Sequence, residues 1–444
     1  MSRQVSGWKA DAAVNLAGEP KAAGETIMDD AGMDIRRAAR ERAFSMPVEE
    51  IEVADDELFR TDTHWPYFER LRRDDPIHHS VHPEHGPYWS ITKYNDIVAV
   101  DSNHQDFSSE RSITIQDPDE DFHTPMFIAM DPPRHDEQRK AVSPAVSPTN
   151  IHNLEPLIRE RAGIILDSLP IGETFDWVDK VSIELTTMTL ATLFDFPFEE
   201  RRKLTRWSDV ITAPEGAPGF GTREERQAEM MECLGYFMNL WNSRVNAEPK
   251  GDLISMMAHA PSTRNMEPME YLGNLILLIV GGNDTTRNTI SGSILALNQF
   301  PDQYAKLKAD LGLIPSMVSE TIRWQTPLSH MRRTATRDVA FGGKEIKAGD
   351  KVVMWYVSGN RDEEVIATPN AYIIDRERPR QHVAFGFGIH RCVGNRLAEL
   401  QLRVIWEEIM KRFPTIELLE EPVRVGSSFI KGYERMMTRI PARA

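Results

Sequence analysis

Apolar positions along this chain repeat mostly at helical spacing. After Asn395, the residues Ala398, Leu402, Ile405 and Ile409 recur at steps of four, three and four, which predicts one apolar stripe on a helix over 395–409. A longer helical run opens at Pro268, a favoured first-turn residue, and lasts to about Gln299, before Pro301. About 30 residues at ~1.5 Å each reach ~45 Å, the width of a large domain. Residues 275–280 of this run are apolar on every side and predict a helix buried all round. Residues 65–73, with Pro66 at the start, and residues 94–100 predict two further helices. Ile77-His-His-Ser and Tyr88-Trp-Ser-Ile-Thr read as short strands joined by a turn. Residues 338–354 alternate and predict a hairpin with turns at Gly342-Gly343 and Gly349-Asp350. No period is sustained over 107–130, which are expected to form a loop over a pocket. Residues 150–250 read as helical throughout, except for a Gly/Pro-rich break at 212–221 suited to a mobile lid.

These elements define a mainly α fold with small β-sheets, in a single large domain over 56–444. Residues 1–55 are polar and form an expected extension, partly disordered, with one short helix near 34–42. Fifty-two Lys and Arg face 68 Asp and Glu, a net charge of −16, which argues against nucleic-acid binding. Two cysteines, Cys233 and Cys392, cannot build a disulfide framework and fit a reducing cytoplasm. The six-residue run 275–280 falls far short of the ~20 residues of a membrane span. The N-terminus carries no apolar signal segment, so a cytoplasmic location is expected.

Cys392 lies among Gly386, Gly388 and Gly394 at the start of the helix over 395–409. Free N–H groups and the helix dipole there favour a thiolate, and glycines let a flat or bulky group approach the backbone. On its own the residue would read as a buried structural cysteine. A second chemistry-bearing stretch, Gly281-Gly282-Asn283-Asp284-Thr285-Thr286, sits within the long helix. Each glycine costs roughly 1 kcal/mol there, so either a flat ligand or a closely packed helix must favour it. A buried acid beside an alcohol is costly unless hydrogen-bonded or functional. A threonine bonded to its own helix and an aspartate in an ion pair would be the structural alternative.

The spacing Phe385-x-x-Gly388-x-x-x-Cys392-x-Gly394, with His390 two positions before the cysteine, resembles the haem-thiolate signature of the cytochrome P450 monooxygenases. Further motifs follow the family's order over roughly residues 60–440. The resemblance implies the P450 fold and a heme b cofactor with Cys392 as axial iron ligand, in a loop with Phe385, His390 and Gly394. His135, Arg139 and Arg333 are the implied partners of the haem propionates, with Arg332 as the alternative to Arg333. Gly281 and Gly282 would lie by the distal haem face. Asp284 and Thr285 match the family's Gly-x-Asp/Glu-Thr motif, in which the alcohol orders a water and the acid relays protons. They are the implied catalytic residues. Glu320, Arg323 and Arg376 match a buried structural triad, although Tyr372 and Ile373 stand where Phe-Asp is usual. By position, Leu277, Val280, Leu328, Met331 and Ile430 would line the substrate pocket.

The implied activity is hydroxylation of aliphatic C–H bonds with O2. Ser329-His-Met-Arg-Arg, the glycine-bearing helix and the long N-terminus most resemble the bacterial alkane-hydroxylase subfamily. That implies a small hydrophobic substrate, namely medium-chain alkanes or fatty acids attacked at the terminal carbon. Neither a Rossmann fingerprint nor a cysteine cluster is fused to the chain, so electrons from NAD(P)H are expected through a separate ferredoxin and ferredoxin reductase. Arg134, Lys140, Arg391 and Arg396 are the expected contacts for the ferredoxin. A terpenoid or steroid hydroxylase is the alternative within the family. A peroxygenase or a non-catalytic haem-binding sensor would not need the Asp284-Thr285 pair.

Overall fold

The computed structural model describes residues 30–118, 121–213, 216–217 and 219–444. Helices α1 (Asp30–Ser45), α2 (Asp56–Arg60), α3 (Trp65–Asp74) and α4 (Tyr94–Ser102) accompany strands β1 (Ile77–His82), β2 (Gly86–Ile91) and β3 (Phe107–Ser108). Helices α5 (Arg134–Val142) and α6 (Pro148–Asp167) lead through β4 (Thr174–Asp176) to α7 (Glu184–Phe194) and α8 (Arg202–Thr212). Next come α9 (Arg223–Arg244), α10 (Leu253–His259), α11 (Pro268–Gln299), α12 (Pro301–Ala309) and α13 (Ile314–Gln325). Strands β5 (Met331–Ala335), β6 (Val339–Phe341), β7 (Lys344–Ile346) and β8 (Lys351–Met354) precede α14 (Tyr356–Gly359) and α15 (Asn395–Arg412). Four short strands follow: β9 (Glu417–Leu418), β10 (Val423–Arg424), β11 (Tyr433–Arg435) and β12 (Met437–Arg439).

The long helix α11 packs against α7, α8, α13 and α15 and carries the main core. On α15 the predicted stripe is buried at Leu402, Ile405 and Ile409, each contributing roughly 1.5–3 kcal/mol. The Trp406 indole N–H donates to Ser293 Oγ at 2.8 Å, which ties α15 to α11. Beside this helical layer lies a five-stranded sheet in the order β1-β2-β8-β5-β3, in which β2 and β8 run parallel. The hairpin of β6 and β7 turns at Gly342 and Gly343, both at positive φ, as its tight turn requires. Among the described residues no helix is long and apolar enough to cross a membrane.

Three expectations need correction. Helix α11 is not buried all round: Leu277, Leu278 and Val280 are only half-buried because they face a cavity. An apolar run without a polar side serves a core and an apolar cavity equally well, and its pattern does not separate them. Residues 150–250 are not helical throughout, since β4 pairs with β12 and a π-helical turn spans Val178–Ile183. Residues 30–55 are not a loose extension: α1 packs on α3, and Ala43, Ile51, Val53 and Ala54 are buried. Their apolar positions are sparse, and only distant partners make them core. Residues 1–29 lie outside the described residues, as do 214, 215 and 218 of the expected lid.

Candidate active site

A cavity of about 2120 Å³ opens between α11 and the loop that leads into α15. One wall is Phe385, Gly386, His390 and Cys392 to Gly394. The opposite wall is α11, through Leu277, Leu278, Val280, Gly281 and Thr285. Residues 110–118 and 122–130 of the aperiodic stretch run along the side, as expected of a loop over a pocket. Phe127 N–H donates to Asn274 Oδ1 at 2.9 Å and holds this loop on α11. At Gly273 a Cβ would fall 2.1 Å from Pro125 O, so only glycine admits the loop there.

Cys392 opens on the cavity directly before α15. Desolvation in the wall pushes its thiol above the ordinary value, while Gly394 and Asn395 N–H groups and the Arg139 and Arg391 guanidiniums pull the other way. The helix start alone therefore does not set a thiolate. The glycines of this loop divide by task. Gly386 and Gly388 sit at positive φ, and a Cβ on Gly388 would meet Asp101 O at 2.5 Å, so they serve the turn and its packing on α4. Gly394 is the one whose missing side chain leaves open space. The pair on α11 divides likewise. A Cβ on Gly281 would meet nothing within 4 Å, whereas on Gly282 it would lie 2.7 Å from Leu190 of α7. Gly281 keeps the cavity clear; Gly282 serves helix packing.

His135 and His390 meet edge to face, 4.3 Å between ring centres, beside this cavity. His135 Nδ1 lies 2.7 Å from Asp136 Oδ1, but its Nε2 and both His390 nitrogens are buried without partners among the described residues. Burial, with the Arg333 charge close by, lowers His390 far below the usual imidazole value. Arg139 and Arg333 both line the cavity. Arg333 is buried, with Nη2 2.7 Å from Asp101 Oδ1, and the same carboxylate accepts from Tyr356 OH at 2.9 Å and Phe387 N–H at 2.7 Å. Arg332 reaches Asp117 Oδ1 at 2.9 Å and, unlike Arg333, does not line the cavity. Asp101 and Tyr356, which the sequence reading missed, thus lock Arg333 and the cysteine loop together. An aspartate near the end of a helix gives no sequence signal of such distant partners.

Asp284 and Thr285 point in different directions. Thr285 lines the cavity, and its Oγ1 donates to Gly281 O at 2.9 Å. Asp284 is fully buried on the α8 side, where Ser208 Oγ donates to Oδ2 at 2.9 Å and Arg287 Nη2 sits 2.8 Å from Oδ1. Arg287 also reaches Asp209 Oδ1 at 2.6 Å, and Asp209 lies nearer the surface. Burial pushes the Asp284 carboxyl up against the pull of Arg287. The static geometry is the ion-paired, self-bonded arrangement, in which polar contacts run from Asp209 through Arg287 to Asp284 while Thr285 bonds its own helix on the cavity side.

Glu320, Arg323 and Arg376 come together: Arg323 Nε and Nη2 reach the two Glu320 oxygens at 2.8 Å each, and Arg376 Nε reaches Oε2 at 3.1 Å. Leu277, Val280, Leu328, Met331 and Ile430 all line the cavity, joined by Ile113 of the expected loop and by Leu278 and Phe429, which the sequence reading missed. Leu328 pairs with Ile430 in a single β-bridge. Arg134, Lys140, Arg391 and Arg396 are exposed, and Arg134 also pairs with Glu270 at 2.7 Å. At the cavity mouth His82, Glu84 and His85 lie close together. The two rings stack 4.3 Å apart within 12° of parallel, so a cation could not lie in both ring planes. His82 Nδ1 also accepts the Glu84 and His85 N–H groups, so the cluster suits a turn rather than a metal.

Two open glycines on facing walls, unpaired buried imidazoles and two cavity-lining arginines fit a flat group that carries acids. With a cysteine in one wall, these features suit a haem held by a thiolate. Known proteins then fix the family. The Cytochrome P450 family model matches residues 241–424. Linalool 8-monooxygenase of Pseudomonas putida is 36% identical over 384 residues, 83% of this chain and 93% of the relative. Methyl-branched lipid omega-hydroxylase of Mycobacterium tuberculosis is 31% identical over 428 residues, 91% of this chain and 99% of the relative. Among solved structures, CYP153D17 from a Sphingomonas species shares 50% identity at a TM-score of 0.82, over 88% of this chain and 98% of that one. The chain belongs to the cytochrome P450 family: it is a haem-dependent oxidoreductase of the monooxygenase type.

Proposed function

We propose that this P450 hydroxylates the terminal carbon of medium-chain alkanes or fatty acids, with electrons passed from NAD(P)H through a ferredoxin reductase and a ferredoxin in the cytoplasm. The observation that carries the reading is the aliphatic wall of Leu277, Val280, Leu328, Met331 and Ile430 on the cavity. A methyl C–H is stronger than an internal one, so terminal attack needs a constriction that admits a chain end-on. The name omega-hydroxylase on a relative and the likeness to CYP153D17 also support it. The linalool relative favours a second reading, a terpenoid-alcohol hydroxylase.

Bound haem supplies O2 activation and transfer of one oxygen atom, and thiolate donation favours O–O cleavage. In this reading Cys392 holds the iron, and His135, Arg139, Arg333 and His390 hold the propionates, with Phe385 and Gly394 shaping the loop. The ferredoxin docks by Arg134, Lys140, Arg391 and Arg396, a basic patch that steers an acidic partner to an otherwise acidic protein. Thr285 keeps a proton-carrying water at the distal wall, and Asp284 passes protons to it from the Asp209 side. Removing a positioned proton donor costs on the order of 10²-fold. Thr285→Ala is therefore expected to lower product by about that factor while NADH oxidation continues and hydrogen peroxide rises. Unchanged coupling of NADH to product would place the proton path elsewhere.

The proposal is tested by incubating octane, a medium-chain fatty acid and linalool with ferredoxin partners and identifying the products. The terminal alcohol should dominate from the linear chains. Leu277→Ala should widen the constriction and move product toward the second carbon. Affinity should rise by ~0.8 kcal/mol per buried methylene until the cavity is filled. Mainly internal alcohols from the wild type, or turnover of linalool without turnover of linear chains, would overturn terminal hydroxylation.

A further inference from the structure

We infer that Asp56 is a positioning residue for the substrate wall, fixing the turn that presents Phe429 and Ile430 to the cavity. Residues 427–430 line that cavity. Ile430 forms the β-bridge to Leu328, so the turn and the 327–331 segment make one wall. The turn is held from several sides. Ser427 Oγ accepts the N–H groups of Phe429 and Ile430 at 3.2 Å each. His330 Nδ1 lies 2.9 Å from Ser428 O, and the His330 ring meets Phe429 edge to face at 5.3 Å. Beyond the turn, Lys431 and Gln325 exchange bonds with each other's carbonyls at 2.9 Å, which anchors the chain to α13.

The remaining side faces the N-terminal segment. There the buried Ser428 N–H donates to Asp56 Oδ1 at 2.6 Å, and Asp56 itself lies on the cavity lining. Among the described residues no carbonyl or other side chain accepts that N–H. A buried donor left without a partner is costly, so without Asp56 the turn would move to find another acceptor or water. Movement of Ser428 carries Phe429 and Ile430 with it, and these side chains set how far a substrate advances. The short helix α2 thus reaches from residues outside the catalytic motifs to the wall that selects the carbon. This rests on the proposed function only in the choice of substrate.

The experiment compares Asp56→Ala, Asp56→Asn and wild type as haem-loaded protein with ferredoxin partners, on one linear substrate that the wild type turns over. Product isomer ratio, KM and kcat are measured, with the reduced carbon monoxide spectrum as a check on the haem. Asp56→Ala should shift the isomer ratio and raise KM by about threefold to tenfold, the range of one net hydrogen bond. The spectrum and kcat should change less. Asp56→Asn keeps an Oδ1 acceptor and should return the ratio toward wild type. An unchanged ratio and KM in Asp56→Ala would overturn the inference, and so would an equal shift in Asp56→Asn, since charge rather than the bond would then matter. Should Asp56→Ala not fold, Asp56→Ser, too short to reach Ser428, takes its place. Failure of both to fold would make the residue structural and overturn the inference. A wild type that forms internal alcohols sinks terminal hydroxylation but leaves this comparison intact.

Discussion

Arg323→Ala is expected to give little folded, haem-loaded protein, and any that is recovered should be less stable by about 3–5 kcal/mol. Glu320 and Arg323 are both fully buried. Glu320 receives two bonds from Arg323, two from Arg376 and the Ile373 N–H at 2.8 Å. Arg323 Nη1 also donates to Asn360 O at 2.9 Å and Pro369 O at 2.7 Å. Loss of the guanidinium leaves a buried carboxylate short of partners and removes a donor from three carbonyls, of which Pro369 O keeps Arg361 Nη1 at 2.7 Å and Ala371 O keeps Arg376 Nη2 at 3.2 Å. Against a typical total of about 5–15 kcal/mol, that is a large share. Arg323→Lys should recover little, because one ammonium cannot replace a planar fork that reaches Glu320 and three carbonyls. Burial alone would raise the Glu320 pKa, and the bonds from Arg323 and Arg376 more than offset it, so the carboxyl lies below its ordinary value. The contribution to stability is therefore complete above the ordinary carboxylate range and is lost as pH falls through the lowered folded value. Denaturant midpoints of wild type and both variants, taken across that range, check the size and the sign. A midpoint in Arg323→Ala equal to wild type would show that the triad does not hold the fold.

The parts that were legible in the sequence are those with local physics. The bounds of α11 follow from Pro268 and Pro301, and the α15 stripe from its spacing. The β6–β7 hairpin follows from two glycines that accept positive φ. His135, Arg139 and Cys392 could be picked out because short motifs carry them. The remainder depends on partners far along the chain. Asp101 binds groups more than 200 residues away, and nothing around it in sequence shows this. Asp56 reaches Ser428 across 372 residues. The burial of residues 30–55 likewise depends on contacts that a polar composition hides. The two glycines of α11 stayed ambiguous in the sequence for a related reason. A glycine that makes room for a ligand and one that makes room for a helix look alike until the neighbour is known, as Gly281 and Gly282 demonstrate.

Cys392→His is expected to abolish monooxygenase activity while leaving the fold in place. The residue sits in the wall rather than in the core, and its N–H bonds to Phe385 O at 2.8 Å through the backbone, which the substitution keeps. What changes is the donor atom. A thiolate is a strong electron donor and favours O–O cleavage, whereas a neutral imidazole in the same loop gives a haem suited to binding rather than to that chemistry. Arg139 and Arg391, whose charges favour a thiolate at that sulfur, would lose that partner in the haem-loaded protein. The direct measurement is the absorption spectrum of the reduced protein with carbon monoxide, recorded for wild type and Cys392→His and paired with turnover. The wild type should absorb at the position typical of thiolate-ligated haem, and the variant should lose both that band and product formation. A variant that keeps the band and the activity would contradict Cys392 as the iron ligand.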